Sequence, residues 1–156
     1  MKAGDELLPP NVARWDRVKF HGHPMVTALH PTTLEITTET YLTKNGDCIV
    51  GVAADRACAQ LDAGVRDWIR NGSSQIKFRI IVGSERFTIR ARGDSRLTLS
   101  NFHEMVIRKS DFVSDRTVGV GADSAALDLP RLMVARLKRP ETVACLEIEV
   151  RRNEIL

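Results

Sequence analysis

A chain of 156 residues, 43% apolar and 28% charged, has the composition of an ordinary soluble globular domain with a sizeable core. Its apolar runs, such as Ile80-Ile81-Val82, are too short to span a bilayer, and residues 1–10 lack the apolar segment of a signal peptide, so no membrane partner and a cytoplasmic address are expected. Three widely spaced cysteines indicate neither a disulfide framework nor a thiolate zinc site, and a charge of +3 with pI near 9.0 permits an acidic partner without requiring one.

Residues 1–12 carry Pro9-Pro10 and little periodicity, which predicts a flexible arm before a single domain over 13–156. From Val18 the pattern has period two: Val18 and Phe20, then Val26 and Ala28, predict two half-buried strands broken at Gly22-His23-Pro24. Leu34 to Ile36 predicts a third. Thr37 or Thr38 with Glu39 can cap a helical turn before the turn at Lys44-Asn45-Gly46-Asp47. Cys48 to Ala53 is apolar throughout, as in a strand covered on both faces, where Gly51 would admit another backbone.

The period then changes. Ala57, Leu61, Val65, Trp68 and Ile69 form one stripe of an amphipathic helix over 56–71, stopped by Asn71-Gly72. Residues 75–83 and 85–92 alternate across Gly83-Ser84 as a hairpin. Short strands follow at 96–99, 105–107 and 116–121. Asp128 and Pro130 open a second helix to about Arg139 on the stripe Leu129, Leu132, Met133 and Leu137, and residues 142–150 close the chain as a strand.

The segment Asp47 to Ala57 recurs as Asp115 to Ala125 with seven of eleven positions identical. Residues 18–36 align likewise with 89–107, pairing Gly22 with Gly93 and Ile36 with Ile107. Two repeats, about 18–72 and 89–139, with 75–83 and 142–150 as added strands, predict a mainly β, pseudo-twofold fold: an internally duplicated antiparallel β-sandwich or barrel with two helices.

Gly22-His23-Pro24, His30-Pro31-Thr32-Thr33-Leu34-Glu35-Ile36-Thr37, Gly46-Asp47-Cys48-Ile49-Val50-Gly51-Val52, Arg108-Lys109-Ser110-Asp111-Phe112 and Asp128-Leu129-Pro130-Arg131 stand in order along the chain. Together they resemble a small archaeal family catalogued as domain of unknown function 371, from about Val18 onward. The resemblance implies an archaeal cytoplasmic protein of β-rich, sandwich-like fold, and it carries no activity, cofactor or catalytic residue to this chain.

The repeated Asp55 and Asp123 precede helical patterns, so they are expected to cap helices, or to form a carboxylate pair near the axis. Asp47 and Asp115 form turns in the same expectation. His23 and His30, with Glu35 and Cys48 nearby, have the chemistry of a general base or metal site, but their spacing across a strand favours turn and edge roles, and no metal is expected. Arg108 and Lys109 stand in the second repeat where the first has Thr37-Thr38, an asymmetry suited to holding an anion. The leading expectation is a binding module for a small anionic ligand in a cleft between the repeats, lined by His23, His30, Asp47, Asp55, Arg108, Lys109, Asp115, Arg116 and Asp123. An enzyme using the same carboxylates and histidine in acid/base or metal-assisted chemistry is the first alternative. The second is nucleic-acid binding by Lys77, Arg79, Arg86, Arg90 and Arg92 on the hairpin, with Glu147 and Glu149 positioned to absorb part of that charge. Nothing in the motifs names a cofactor.

Overall fold

The computed structural model describes residues 12–42 and 46–152; the expected arm, apart from Val12, and the turn at Lys44-Asn45 lie outside them. The strands are β1 (Ala13–His21), β2 (Thr33–Thr37), β3 (Ile49–Gly51), β4 (Ser74–Val82), β5 (Glu85–Arg92), β6 (Glu104–Arg108), β7 (Thr117–Gly119) and β8 (Val143–Arg152). The helices are α1 (Ala63–Ile69) and α2 (Arg131–Leu137), each preceded by a single 3-10 turn, Cys58–Gln60 or Ala126–Asp128. Among the described residues no helix is long and apolar enough to cross a membrane.

Two four-stranded sheets form, in the orders β1-β8-β4-β5 and β3-β2-β6-β7. The first is antiparallel throughout. In the second only the central β2–β6 pair is antiparallel, and the outer strands β3 and β7 pair parallel to their neighbours. The alternation read from the sequence decides which side chains enter the space between the sheets. Phe20, Phe78, Ile80, Leu146 and Ile148 point inward from the first sheet, and Leu34, Ile36, Met105 and Ile107 are buried from the second. A fully buried side chain of this size stabilises by roughly 1.5–3 kcal/mol over leaving it exposed, so this layer is the main source of stability. α1 lies against β1, β8 and β4, and α2 against β3 and β4.

The sheets do not close into a barrel. A single bridge joins them at each edge, His21 with Val52 and Arg92 with Val120. Ordinary ladders stop there because the chain turns away sharply: Ala53 and Gly121, next after the bridges, have φ of +53° and +60°, a left-handed conformation that L side chains adopt only at a cost. Ala28 and Leu99 form another such pair, at +52° and +51°. These two explain why 26–28 and 96–99 are not the strands expected. Their residues alternate in burial, but the positive φ takes them out of any ladder, and Val26, Ala28, Leu97 and Leu99 fill the core from loops.

The helical expectation was too long on both sides. Residues 57–61 make a 3-10 turn and a kink, and α1 starts only at Asp62, whose carboxylate accepts the Val65 N–H at 3.0 Å as N-cap. Asp128 does not cap α2. It accepts the Ala125 N–H at 2.8 Å and closes the preceding 3-10 turn, while Pro130 occupies the N-cap, and Leu132 stands 77% exposed instead of joining the buried stripe. Gly51 admits a side chain, not a backbone: the Phe20 ring lies where a Cβ would be, as the Phe78 ring does at Gly119.

Candidate functional site

The repeated aspartates lie at the seams between the sheets. Asp55 N–H donates to the Lys19 carbonyl at 2.9 Å and its carboxylate accepts the Lys19 N–H at 3.0 Å. Asp123 does the same with Arg90, at 2.9 and 3.0 Å. Each aspartate thus continues the edge of β1 or β5 by clamping the chain that leaves the other sheet, and neither caps a helix. They border different cavities. Asp55 lines a hollow of about 590 Å³ with Arg17, Lys19, Ile81, Arg86 and Cys145. Asp123 lines one of about 420 Å³ with Lys77, Arg90, Arg92, Glu149 and Arg151. The two hollows share no lining residue, so Asp55 and Asp123 do not meet.

The rest of the predicted set is scattered by local hydrogen bonding. Asp47 and Asp115 act through their carbonyls, which accept from Leu29 and His30 and from Ser100 and Asn101 respectively. His23 Nδ1 accepts the Met25 N–H at 3.0 Å, and His30 Nδ1 accepts those of Thr32 and Thr33 at 3.2 and 3.1 Å; both imidazoles serve their own turns. Arg108 donates to Thr117 Oγ1 at 2.9 Å and stacks on Phe112, 4.9 Å from the ring centroid. Lys109 pairs with Asp128 at 3.4 Å. Neither hollow is lined by His23, His30, Asp47, Arg108, Lys109, Asp115 or Arg116.

Arg116 belongs to a cluster that sequence reasoning half found. Its Nη1 lies 2.8 Å from Glu104 Oε1 and 3.4 Å from Glu35 Oε1. Glu35 on β2 points away from the core by alternation, yet it is 4% exposed, covered from the side of β3 by Cys48, whose Sγ donates to Glu35 Oε1 at 3.9 Å. Burial, then the hydrogen bond and charge of Glu104, push Glu35 up to about 8, while the hydrogen bond from Glu35 lowers Glu104. At neutral pH Glu35 is therefore the protonated partner, donating to an ionised Glu104. Burial pushes the neighbouring Cys48 thiol up to about 11, so it is no nucleophile. Neither hollow reaches this pair, which fastens the centre of the β2–β6 ladder. Among the described residues no group of three His, Cys, Asp or Glu side chains is arranged to hold a metal.

The larger charge feature is the outer face of the β1-β8-β4-β5 sheet. Register places its side chains in rows across the four strands: Lys19, Cys145, Ile81, Arg86; then Arg17, Glu147, Arg79, Thr88; then Trp15, Glu149, Lys77, Arg90; then Ala13, Arg151, Gln75, Arg92. Those rows hold eight cations and two carboxylates, although the whole chain balances 23 Lys and Arg against 20 Asp and Glu. Away from this face, acids are in excess. The two glutamates hold the middle: Glu147 pairs with Arg17 at 2.8 Å and Arg79 at 3.3 Å, and Glu149 with Arg79 at 3.0 Å and Arg151 at 2.7 Å. The expected cross-strand absorption of charge is real but stops there. Lys19, Lys77, Arg86, Arg90 and Arg92 make no ion pair among the described residues, and all five line the two hollows. The hairpin was legible as basic from its own alternation; that Arg17, Lys19 and Arg151 extend the same face was not, because it requires β1 and β8 to join that sheet.

Comparison with known proteins fixes the chain's kinship. Uncharacterized protein MJ0206 of Methanocaldococcus jannaschii is 39% identical over 121 residues, covering 78% of this chain and 89% of the relative. A family model described as domain of unknown function (DUF371) matches residues 18–151, and the chain belongs to that family.

Proposed function

We propose that this protein is a binding module for anionic, phosphate-bearing ligands, and that the binding surface is the outer face of the β1-β8-β4-β5 sheet. The observation that carries the reading is the set of five cations, Lys19, Lys77, Arg86, Arg90 and Arg92, which make no ion pair among the described residues and are collected into two concavities, outnumbering there the carboxylates of Asp55, Asp123 and Glu149. A folded chain that pairs Arg17, Arg79 and Arg151 on the same face holds charges of one sign together elsewhere on it at a cost in self-repulsion, which a bound anion relieves. The reading thus moves the anion site from a cleft between the repeats, where the predicted residues do not gather, to the sheet face.

The two hollows also support an internal duplication. Seven lining positions of one correspond to seven of the other at offsets of 71 and 68 along the chain, among them Lys19 with Arg90, Asp55 with Asp123 and Ala144 with Ile76. The same offsets relate the Ala28 and Leu99 conformations, and the bonds from Thr38 N–H to His103 O and from Lys109 N–H to Thr32 O. Gly22 N–H donating to Thr142 O matches Gly93 N–H donating to Ser74 O, so each repeat is read as including the strand after its helix, β4 or β8.

The test is a thermal-shift and anisotropy panel of inorganic phosphate, nucleoside triphosphate and fluorescent oligonucleotide. Anions should raise the melting temperature. With up to five contacts, affinity for a single-stranded probe should fall roughly 100-fold between about 50 and about 200 mM salt. Binding that is indifferent to salt, or that survives reversal of both Arg86 and Arg90 to glutamate, would remove this face from the function.

A further inference from the structure

Resting on the reading of this sheet face as an anion site, we infer that its ligand is a single-stranded nucleic acid and not a small phosphate compound. The unpaired cations fall into two groups. Lys19 and Arg86 border the hollow beside Asp55, and Lys77, Arg90 and Arg92 border the one beside Asp123. Between them runs the row Arg17, Glu147, Arg79 and Thr88, a ridge on which Glu147 pairs with both Arg17 and Arg79 and so offsets part of their charge, while Arg17 also lines the first hollow and Glu149 and Arg151 the second. Arg86 and Arg90 stand four residues apart on β5, which at the rise of a strand is ~13 Å. The phosphates of one nucleotide cluster at one end of the molecule and fill one hollow. A polymer with a charge on every repeat reaches both, and the second contact is then made at high effective concentration.

A further feature selects a nucleic acid single strand among polyanions. Trp15 is 49% exposed and lies in the cross-strand row with Glu149, Lys77 and Arg90. The Arg79 guanidinium lies over its ring, 5.5 Å from the centroid, and the exposed part of the ring offers an aromatic surface next to the ridge, at the β1 end of the row that lines the second hollow. An unpaired base can stack there while its flanking phosphates settle on either side; a base inside a duplex has no free face to offer.

The experiment uses the full chain and fluorescein-labelled oligothymidylates of about 2 to about 16 nucleotides, with thymidine diphosphate, a duplex of the longest oligomer, and phosphatidylserine vesicles alongside. Affinity should rise at least tenfold once the strand is long enough to span the ridge, and Arg86→Ser or Arg90→Ser should each abolish that step while changing the shortest probe less. Trp15→Ala should weaken the long probe about tenfold, and Arg86→Lys should largely restore what Arg86→Ser loses. All these positions are outward-facing, and a thermal melt of each variant verifies its fold. A diphosphate that binds as tightly as the longest strand would overturn the polymer inference and leave the anion site standing. A duplex that binds as well as the single strand, a silent Trp15→Ala, or vesicles that bind where oligonucleotides do not would overturn the single-strand assignment. If no probe binds, both this inference and the anion-site reading fall.

Discussion

Glu35→Gln should make the protein more stable in mildly alkaline solution and leave it little changed in acid. Glu35 is buried against Glu104 and Arg116 and holds its proton up to about 8, against an ordinary value of 4.5. A carboxyl raised in the folded state contributes stability that is fully present below pH 4.5 and is lost as pH climbs to about 8, because the unfolded chain ionises first. That difference amounts to up to about 5 kcal/mol across the window. The lowered Glu104 works the other way, its contribution being present above pH 4.5 and lost only in more acid solution, so it leaves the decline between 4.5 and 8 to Glu35. Glutamine keeps the shape and an N–H donor for Glu104 but does not titrate. Urea unfolding of both proteins at about pH 5 and about pH 8 should show the wild type losing several kcal/mol between them and the variant losing much less. A wild-type stability that is flat or rising over that interval, or a Glu35→Gln effect equal at both ends, would refute the shared-proton account.

Gly22→Ala and Gly93→Ala should each destabilise by at least about 2 kcal/mol in denaturant titrations, since a Cβ at Gly22 overlaps the carbonyl oxygens of Leu137 and Arg139 and one at Gly93 overlaps the Ile69 carbonyl and Ser74 Oγ. Similar losses at both sites are expected if the repeats are equivalent, and a tolerated alanine at either would break that equivalence. Cys58 is fully buried, donates to the Glu104 carbonyl at 3.1 Å, and is pushed up to about 12 by burial. A thiol reagent near neutral pH should therefore label Cys145 first and Cys58 only at the rate of unfolding; mass spectrometry after brief exposure decides it.

The parts of the fold visible in the sequence were those where neighbours along the chain suffice. Ile76, Phe78 and Ile80 alternate with Gln75, Lys77 and Arg79, and Leu146 and Ile148 with Glu147 and Glu149, so β4 and β8 could be read directly. Gly22 and Gly93 each stand where a Cβ would meet the carbonyl at the end of a helix, Leu137 or Ile69. What misled were patterns with two physical meanings. An acid ahead of an apolar periodic run reads as a helix cap, but Asp55 and Asp123 clamp Lys19 and Arg90, and this tether delays both helices by half a turn or more. Val26 and Ala28 alternate as a strand would while lying in a loop. The burial of Glu35 was not legible, because it comes from Cys48 and Arg116, which reach it only after β3 and β7 have added themselves in parallel beside β2 and β6. No local rule supplies that.

The pairing of the first strand with the last has a consequence for how the protein comes apart. β1 is held by β8, and β5, which opens the second half, is held by β4, so every half lends an outer strand to its counterpart. A cut in the Gly83-Ser84 turn leaves two pieces still laced through both sheets, and neither has a complete hydrophobic layer alone. Residues 13 and 151 are neighbours in the ladder, so a short tether joining the ends of β1 and β8, with new ends opened at that turn, would reverse the order of the halves without moving a strand.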